Sequence, residues 1–144
     1  MPRLQGTVSI AAPAERVWDA VLEDLAGMPR WAGYMRSASV VGGGRPGLGT
    51  KVRYELNVPG DIALVMLPRV WDRPHLGSGD WVEGPITGTW SYQLAEAANA
   101  TDLTYEMEIR LGGMLRFASG MIQGRLDSGI SDAMRRLQEE LEAR

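Results

Sequence analysis

The chain has 144 residues, of which 44% are apolar, and a formal net charge of −3. This length fits one domain that can bury a sizeable core, and its charges are spread along the chain without the basic block that a nucleic-acid partner requires. Because the chain has no cysteine and one histidine, we expect no disulfide, no thiolate nucleophile and no metal site.

The hydropathy pattern also bears on location. The N-terminal residues alternate and lack the continuous apolar stretch of a signal peptide. No later stretch is long and apolar enough to span a bilayer. We therefore expect a cytoplasmic protein without an integral membrane segment.

The first elements predicted along the chain are a strand and two short helices. Residues 5–10 alternate between small or polar and apolar side chains, which is typical of a strand. Over residues 13–25 the apolar side chains recur at helical spacing, and the proline that opens this segment suits the first turn of a helix. Gly27 and Pro29 predict the end of that helix, and a second short helix is predicted over residues 31–35.

From residue 37 onward the pattern changes to a period of two with glycine- or proline-containing breaks, which predicts an antiparallel meander. We predict six strands, near residues 37–41, 50–58, 62–71, 75–83, 86–95 and 102–111. A long amphipathic helix follows, because the apolar residues then recur three or four positions apart. These residues are Leu115, Ala118, Ile122, Leu126, Ile130, Ala133, Leu137 and Leu141.

Four segments carry a family resemblance: VSIAAPAERVW at residues 8–18, PRW at 29–31, GLGT at 47–50 and GTWSYQL at 88–94. In this order and spacing they resemble the START-like (SRPBCC) superfamily, and more narrowly its bacterial polyketide cyclase/dehydrase branch. The resemblance spans nearly the whole chain and implies one domain over residues 1–144. The implied α+β fold is a helix-grip fold, in which a curved antiparallel seven-stranded sheet wraps around a long C-terminal helix and two short helices follow the first strand.

A curved sheet around one helix leaves a concave space that ordinary aliphatic side chains do not fill, so larger side chains or a ligand must occupy it. Strand alternation places several aromatic residues on the apolar strand faces, and methionine side chains adapt to irregular ligands. At core spacing the same residues can equally be ordinary core. The residues expected to line a ligand pocket are Trp31, Tyr34, Met35, Tyr54, Leu56, Met66, Trp81, Trp90, Tyr92, Tyr105, Met107, Met114, Phe117, Met121 and Ile122.

Three residues are candidates for catalysis, since the related aromatase/cyclases use a few polar groups to orient a polyketone and move protons. His75 suits general acid–base chemistry because the ordinary pKa of histidine lies near neutrality. Tyr54 suits donation of a hydrogen bond to a developing enolate, and Arg69 suits binding of a carbonyl or carboxylate oxygen. Against these roles, the segment before His75 is typical of a surface turn, and Arg69 can equally face solvent.

Gly42, Gly44 and Gly47 match the pattern G-x-G-x-x-G of dinucleotide-binding loops. That pattern requires a helix directly after the loop, whose N-terminus holds the pyrophosphate. A strand is predicted there instead, so we interpret the segment as a flexible hairpin, and we expect no cofactor.

Three functions remain open at this point. The first is binding of an apolar small molecule such as a lipid, polyketide or isoprenoid. The second is an aromatase, cyclase or dehydratase, which requires at least one Arg, His or Tyr side chain in the cavity. The third is a protein-interaction or regulatory module, which predicts an exposed apolar patch and a collapsed cavity. The sequence leaves a homodimer open.

Overall fold

The body of the protein is a seven-stranded sheet with sheet order β1-β7-β6-β5-β4-β3-β2, in which every neighbouring pair is antiparallel. The computed structural model describes residues 3–57, 60 and 62–143, except for the side chains at 114, 115, 118 and 119. The strands are β1 (Arg3–Ile10), β2 (Met35–Val40), β3 (Val52–Leu56), β4 (Ala63–Asp72), β5 (Leu76–Val82), β6 (Ile86–Ala97) and β7 (Ala100–Leu111). The predicted meander is confirmed, and β1 extends it by pairing with β7.

The helical segments follow β1 and β7, which is the predicted order of elements. After β1 come α1 (Ala14–Trp18), a π-helical turn (Asp19–Glu23) and a 3-10 helix (Leu25–Arg30). After β7 a 3-10 helix (Gly113–Ala118) leads into the long helix α2 (Ser119–Glu142). The helix-grip fold expected from the resemblance is confirmed.

The second short helix lies earlier in the chain than predicted. The carboxylate of Asp24 accepts a hydrogen bond from the backbone N–H of Gly27 at 3.2 Å, which caps the start of the 3-10 helix. Gly27 therefore lies inside the first turn of a new helix and does not end the previous one. Residues 31–34 form a connection with turns and no further helix, and Met35 begins β2.

Strand alternation separates the two faces of the sheet as predicted for β3, β6 and β7. On β3 the side chains of Val52, Tyr54 and Leu56 are buried, whereas Arg53 points to solvent and Glu55 is half-buried. The aromatic residues of β6 and the apolar residues of β7 are buried on the same concave face. This face and α2 enclose the core.

Two β-bulges interrupt the regular pairing of strands. The register shifts between Met35 and Ser37 and again between Pro68 and Val70, so Arg36 and Arg69 are the extra residues of their strands. A bulge bends its strand and increases the twist of the sheet. Beyond the second bulge the alternation is reversed, and Trp71 pairs with Gly77 on the buried side of β5.

Helix α2 packs against the concave side, most closely on β1. The predicted stripe is buried at Ile122, Leu126, Ile130, Ala133, Leu137 and Leu141; the side chains of Leu115 and Ala118 lie outside the described residues. The absence of a side chain at Gly6 permits the close approach, because a Cβ there would lie 2.7 Å from Cγ2 of Ile130. The amphipathic pattern therefore does hold α2 to the sheet.

A cluster of charged residues ties the helical segment after β1 to two loops. Arg73, in the β4–β5 turn, pairs with Glu15 at 2.7 Å, with Asp19 at 2.8 Å and with Glu23. Arg45, in the glycine-rich β2–β3 loop, also pairs with Glu23 at 2.6 Å. These contacts place the loop against the helical segment.

Glu23 is the centre of this cluster and is largely buried. Burial opposes its ionisation, but the hydrogen bonds from Arg45 and from Nε1 of Trp18 (3.0 Å) and the charge of Arg73 outweigh burial and lower the pKa of Glu23 below its ordinary value. A carboxylate whose folded pKa is lowered stabilises the protein above its unfolded pKa and loses that contribution as the pH falls.

We predict that Glu23→Gln lowers the free energy of unfolding by about 1–2 kcal/mol at pH 7, because charge-assisted hydrogen bonds are lost. The difference from wild type should shrink as the pH falls below the ordinary glutamate pKa near 4.5. Urea unfolding at neutral and acidic pH measures both quantities. Glu106→Gln is the control, since the Glu106–Arg3 pair is more exposed and such pairs contribute at most about 1 kcal/mol. An equal loss for Glu23→Gln at both pH values would contradict the role of the charge.

Candidate ligand-binding cavity

A cavity lies between the concave face of the sheet and α2. The lining side chains come from the 3-10 helix, the turn before β2, the strands β2 to β7, and α2. They are Met28, Tyr34, Met35, Tyr54, Leu64, Met66, Trp81, Trp90, Tyr92, Tyr105, Met107 and Leu126. The cavity volume is about 10 Å³, which is at the lower limit for a single water molecule. Side chains therefore fill most of the concave space.

The aromatic rings in this cavity form a continuous row across four strands. Ring centroids lie 5.9 Å apart for Tyr54 and Trp81, 6.4 Å for Trp81 and Trp90, 6.3 Å for Trp90 and Tyr92, and 4.4 Å for Tyr92 and Tyr105. Cross-strand pairing produces part of this row, because Tyr92 lies directly opposite Tyr105. Aromatic contacts of this kind contribute about 0.5–1.5 kcal/mol each beyond the burial of their surface.

Three of the polar groups in this row are donors with a weak acceptor or none. The hydroxyl of Tyr54 donates to Sδ of Met66 at 3.3 Å, and that of Tyr105 donates to Sδ of Met107 at 3.4 Å. A thioether sulfur is a weak acceptor. Nε1 of Trp81 is buried without a hydrogen-bond partner among the described residues. The cavity thus contains hydrogen-bond donors that lack a strong acceptor among the described residues.

All four phenols of the cavity are uncharged at neutral pH. Burial raises the pKa of Tyr34, Tyr54, Tyr92 and Tyr105, and neighbouring phenols raise the pKa of the last three further. No Arg, Lys, His, Asp or Glu is among the described lining residues. The arrangement can accept an uncharged ligand and donate hydrogen bonds to it, but it has no group suited to balance a ligand charge.

Nine of the residues predicted to line a pocket do line this cavity. They are Tyr34, Met35, Tyr54, Met66, Trp81, Trp90, Tyr92, Tyr105 and Met107. Trp31, Leu56 and Ile122 are buried in the core without lining the cavity. Whether the nine bind a ligand stays a prediction.

The predictions for the start of α2 are wrong where the structure describes them. Phe117 is 86% exposed and Met121 is 53% exposed, so neither lies in the cavity. Met121 belongs to α2 itself and lies on the face of this helix away from the buried stripe of Ile122 and Leu126. Phe117 lies in the 3-10 helix before α2, at a position that the helical spacing of the stripe does not include. The side chain of Met114 lies outside the described residues.

Three lining residues escaped the sequence analysis. Leu64 lies two positions before Met66 on β4, and Leu126 belongs to the predicted apolar stripe of α2. Strand alternation and helical spacing are therefore the signals that point to these two residues. Met28 lies in the 3-10 helix that was predicted at a later position, so no periodic pattern pointed to it.

Two of the three catalytic candidates lie outside the cavity, which corrects their expected placement. Arg69 is the bulged residue of β4, and its exposed side chain pairs with Asp80 at 2.5 Å on the outer face of the sheet. His75 is exposed in the β4–β5 turn, where its backbone N–H donates to the carbonyl of Asp72 at 2.7 Å. Only Tyr54 projects into the cavity.

Further features of the described residues bear on metal binding, membrane insertion and nucleotide binding. Among these residues no group of three or more His, Asp or Glu side chains is arranged to bind a metal ion. None of the described helices has the length and apolar character needed to cross a membrane. The glycine-rich loop leads into strand β3, so it offers no helix N-terminus to a nucleotide.

The fold recurs in solved structures. A protein from Thermus thermophilus has a TM-score of 0.76 and 20% identity, covering 99% of this chain and 98% of the other. An aromatase/cyclase from Streptomyces has a TM-score of 0.73 and 18% identity, covering 99% and 94%. The Aha1 dimer from Colwellia psychrerythraea has a TM-score of 0.64 and 15% identity, covering 99% and 97%. At these identities the likeness bears on the fold alone.

The sequence itself identifies the family. No curated protein matches the chain. The sequence pattern of one family, described as polyketide cyclase / dehydrase and lipid transport, matches residues 1–142. The match covers every element of the fold, from β1 to α2. The chain therefore belongs to the polyketide cyclase/dehydrase and lipid transport family.

Proposed function

We propose that this protein binds an uncharged, largely apolar small molecule, of lipid, polyketide or isoprenoid type, between the sheet and α2. The observation that carries the proposal is the enclosed cavity, whose described walls are aromatic, methionine and leucine side chains without a charged group. Ligand sites are typically apolar with a few polar groups that fix orientation. The family's description, which includes lipid transport, supports the same function.

The walls must rearrange to admit such a ligand, because the cavity volume is only about 10 Å³. Four of the lining residues are methionines: Met28, Met35, Met66 and Met107. Methionine is unbranched and has three rotatable bonds, so it changes shape at low cost. We propose that these side chains fill the space when no ligand does and swing aside when one binds.

The access route that we propose runs past Tyr34. This side chain lines both the cavity and an open groove of about 620 Å³ beside α2. The helix residues that line the groove are Gly120, Gly124, Ser128 and Gly129, together with the larger Met121, Arg125, Asp132 and Arg136. A Cβ at Gly129 would lie 2.9 Å from the Tyr34 ring, so the ring rests directly on the helix backbone. Rotation of Tyr34 would connect the groove to the cavity.

The cavity supports binding better than acid–base catalysis. An aromatase or cyclase needs groups that give and take protons near neutral pH. Tyr54 and its neighbouring phenols can donate hydrogen bonds to a carbonyl oxygen, but burial raises their pKa, which keeps them protonated. Neither His75 nor Arg69 is among the described lining residues. Turnover of a linear polyketone by the purified protein would overturn this preference.

A protein-interaction module is the second candidate, because two observations favour it. The cavity is nearly filled, and Phe117 and Met121 expose large apolar side chains about one helical turn apart. Exposed apolar residues at one place are typical of binding surfaces. If the protein binds neither the dye described below nor any small molecule from cells, this function becomes the better proposal.

Native mass spectrometry of the purified protein, followed by extraction and identification of the retained molecule, tests the proposed function. We expect an uncharged apolar compound, and we expect the dye Nile red to compete with it. The variant Met28→Ala should bind Nile red about tenfold more tightly, equivalent to 1.4 kcal/mol, because less side chain must be displaced. Met134→Ala is the matched control, since Met134 is buried but does not line the cavity. If the two variants bind the dye with equal affinity, the dye binds outside the cavity.

A pair of glycine variants tests the access route. Gly129→Ala should push the Tyr34 ring aside, lower the free energy of unfolding by about 1–2 kcal/mol, and accelerate Nile red association. Gly124→Ala should raise that free energy by about 0.5–1 kcal/mol, since a Cβ there meets nothing within 4 Å, and should leave association unchanged. Urea unfolding and stopped-flow fluorescence measure these effects. If Gly129→Ala leaves the association rate unaltered, the route past Tyr34 is wrong.

A further inference from the structure

We propose that the indole N–H of Trp81 is a recognition group for an acceptor oxygen on the ligand, so that the protein selects uncharged oxygenated molecules over hydrocarbons of the same shape. The inference rests on the proposed function and adds to it the chemical group that is recognised. Trp81 is 6% exposed and lines the cavity, and its Nε1 has no hydrogen-bond partner among the described residues.

An unpartnered indole N–H is unusual in a folded protein, because a buried donor without an acceptor has lost its hydrogen bond to water. Two other buried tryptophans of this chain show the ordinary arrangement. Nε1 of Trp18 donates to the carboxylate of Glu23 at 3.0 Å, and Nε1 of Trp90 donates to the backbone carbonyl of Asp80 at 3.3 Å. Trp81 therefore departs from its neighbours in the same core.

A second underused donor lies in the same corner of the cavity. The Tyr54 ring packs edge-on against Trp81 at 5.9 Å, and its hydroxyl donates to Sδ of Met66. Met66 lies directly opposite Trp81 on the neighbouring strand. Because the thioether is a weak acceptor, a ligand oxygen would be a better partner for the hydroxyl too. A carbonyl oxygen has two lone pairs and can accept two hydrogen bonds.

The surroundings restrict the kind of oxygen. A carboxylate or phosphate would be buried without a cation, because no Arg, Lys or His is among the described lining residues. A ligand N–H could not pair with the indole N–H of Trp81, because both groups only donate. A ketone, ester or ether oxygen fits both conditions, since it is uncharged and only accepts. The recognised group is therefore a neutral acceptor oxygen.

Fluorenone and fluorene form a suitable pair of probes, because the two rigid molecules differ in one carbonyl group. Titration calorimetry with the wild-type protein should show about tenfold tighter binding of fluorenone. In Trp81→Phe, which keeps an aromatic ring but removes the N–H, the ratio of the two affinities should fall to about one. Trp90→Phe is the matched control and should keep the preference, since the N–H of Trp90 already has a partner.

Unfolding provides a second readout that needs no ligand. Both variants lose the same atoms, but only Trp90→Phe breaks a hydrogen bond, so Trp81→Phe should unfold at the higher urea concentration. The inference is overturned if wild type binds the two probes equally, or if the ketone preference survives in Trp81→Phe. It is also overturned if Trp81→Phe has a lower unfolding midpoint than Trp90→Phe. If wild type binds neither probe and also retains no apolar compound from cells, the proposed function fails and the inference fails with it. If it retains a hydrocarbon and binds neither probe, the inference alone fails.

Discussion

The packing of α2 across the concave face of a curled sheet is the constraint on which the rest of the structure depends. Gly6 lets the helix approach β1 closely, and the buried stripe from Ile122 to Leu141 fixes its rotation. The opposite strands cannot come equally close, so the space between them and the helix is filled by long and aromatic side chains. The row from Tyr54 to Tyr105 is the consequence, and with it come polar atoms in an otherwise apolar place.

Those polar atoms include donors that have a weak acceptor or none among the described residues, namely the hydroxyls of Tyr54 and Tyr105 and Nε1 of Trp81. Each buried tyrosine or tryptophan brings a donor, while methionine sulfur is the only side-chain acceptor among the described cavity residues apart from the phenol oxygens. These weakly paired donors distinguish the cavity from ordinary apolar packing, and they connect the fold with the proposed function.

The sequence predicted the parts of this structure that depend on regular periodicity. Alternation on β3, β6 and β7 placed Tyr54, Tyr92 and Tyr105 correctly, and helical spacing placed Leu126 and Ile130 on the buried side of α2. The prediction failed where short 3-10 helices interrupt the regular spacing of apolar residues. The Asp24 cap starts a new 3-10 helix before residue 31, and a further 3-10 helix, which contains Phe117, precedes α2. Neither of these 3-10 helices has a signature in the hydropathy pattern.

The bulge in β4 shows how a position can matter without its side chain. Arg69 makes only an exposed ion pair, so other residues should replace it at little cost. Its presence in the chain, however, reverses the alternation and turns Trp71 toward the ring of Trp18, with centroids 5.2 Å apart. Deleting this one residue would restore regular pairing and rotate the following residues to the opposite face. The position should therefore tolerate nearly every substitution in evolution and resist deletion.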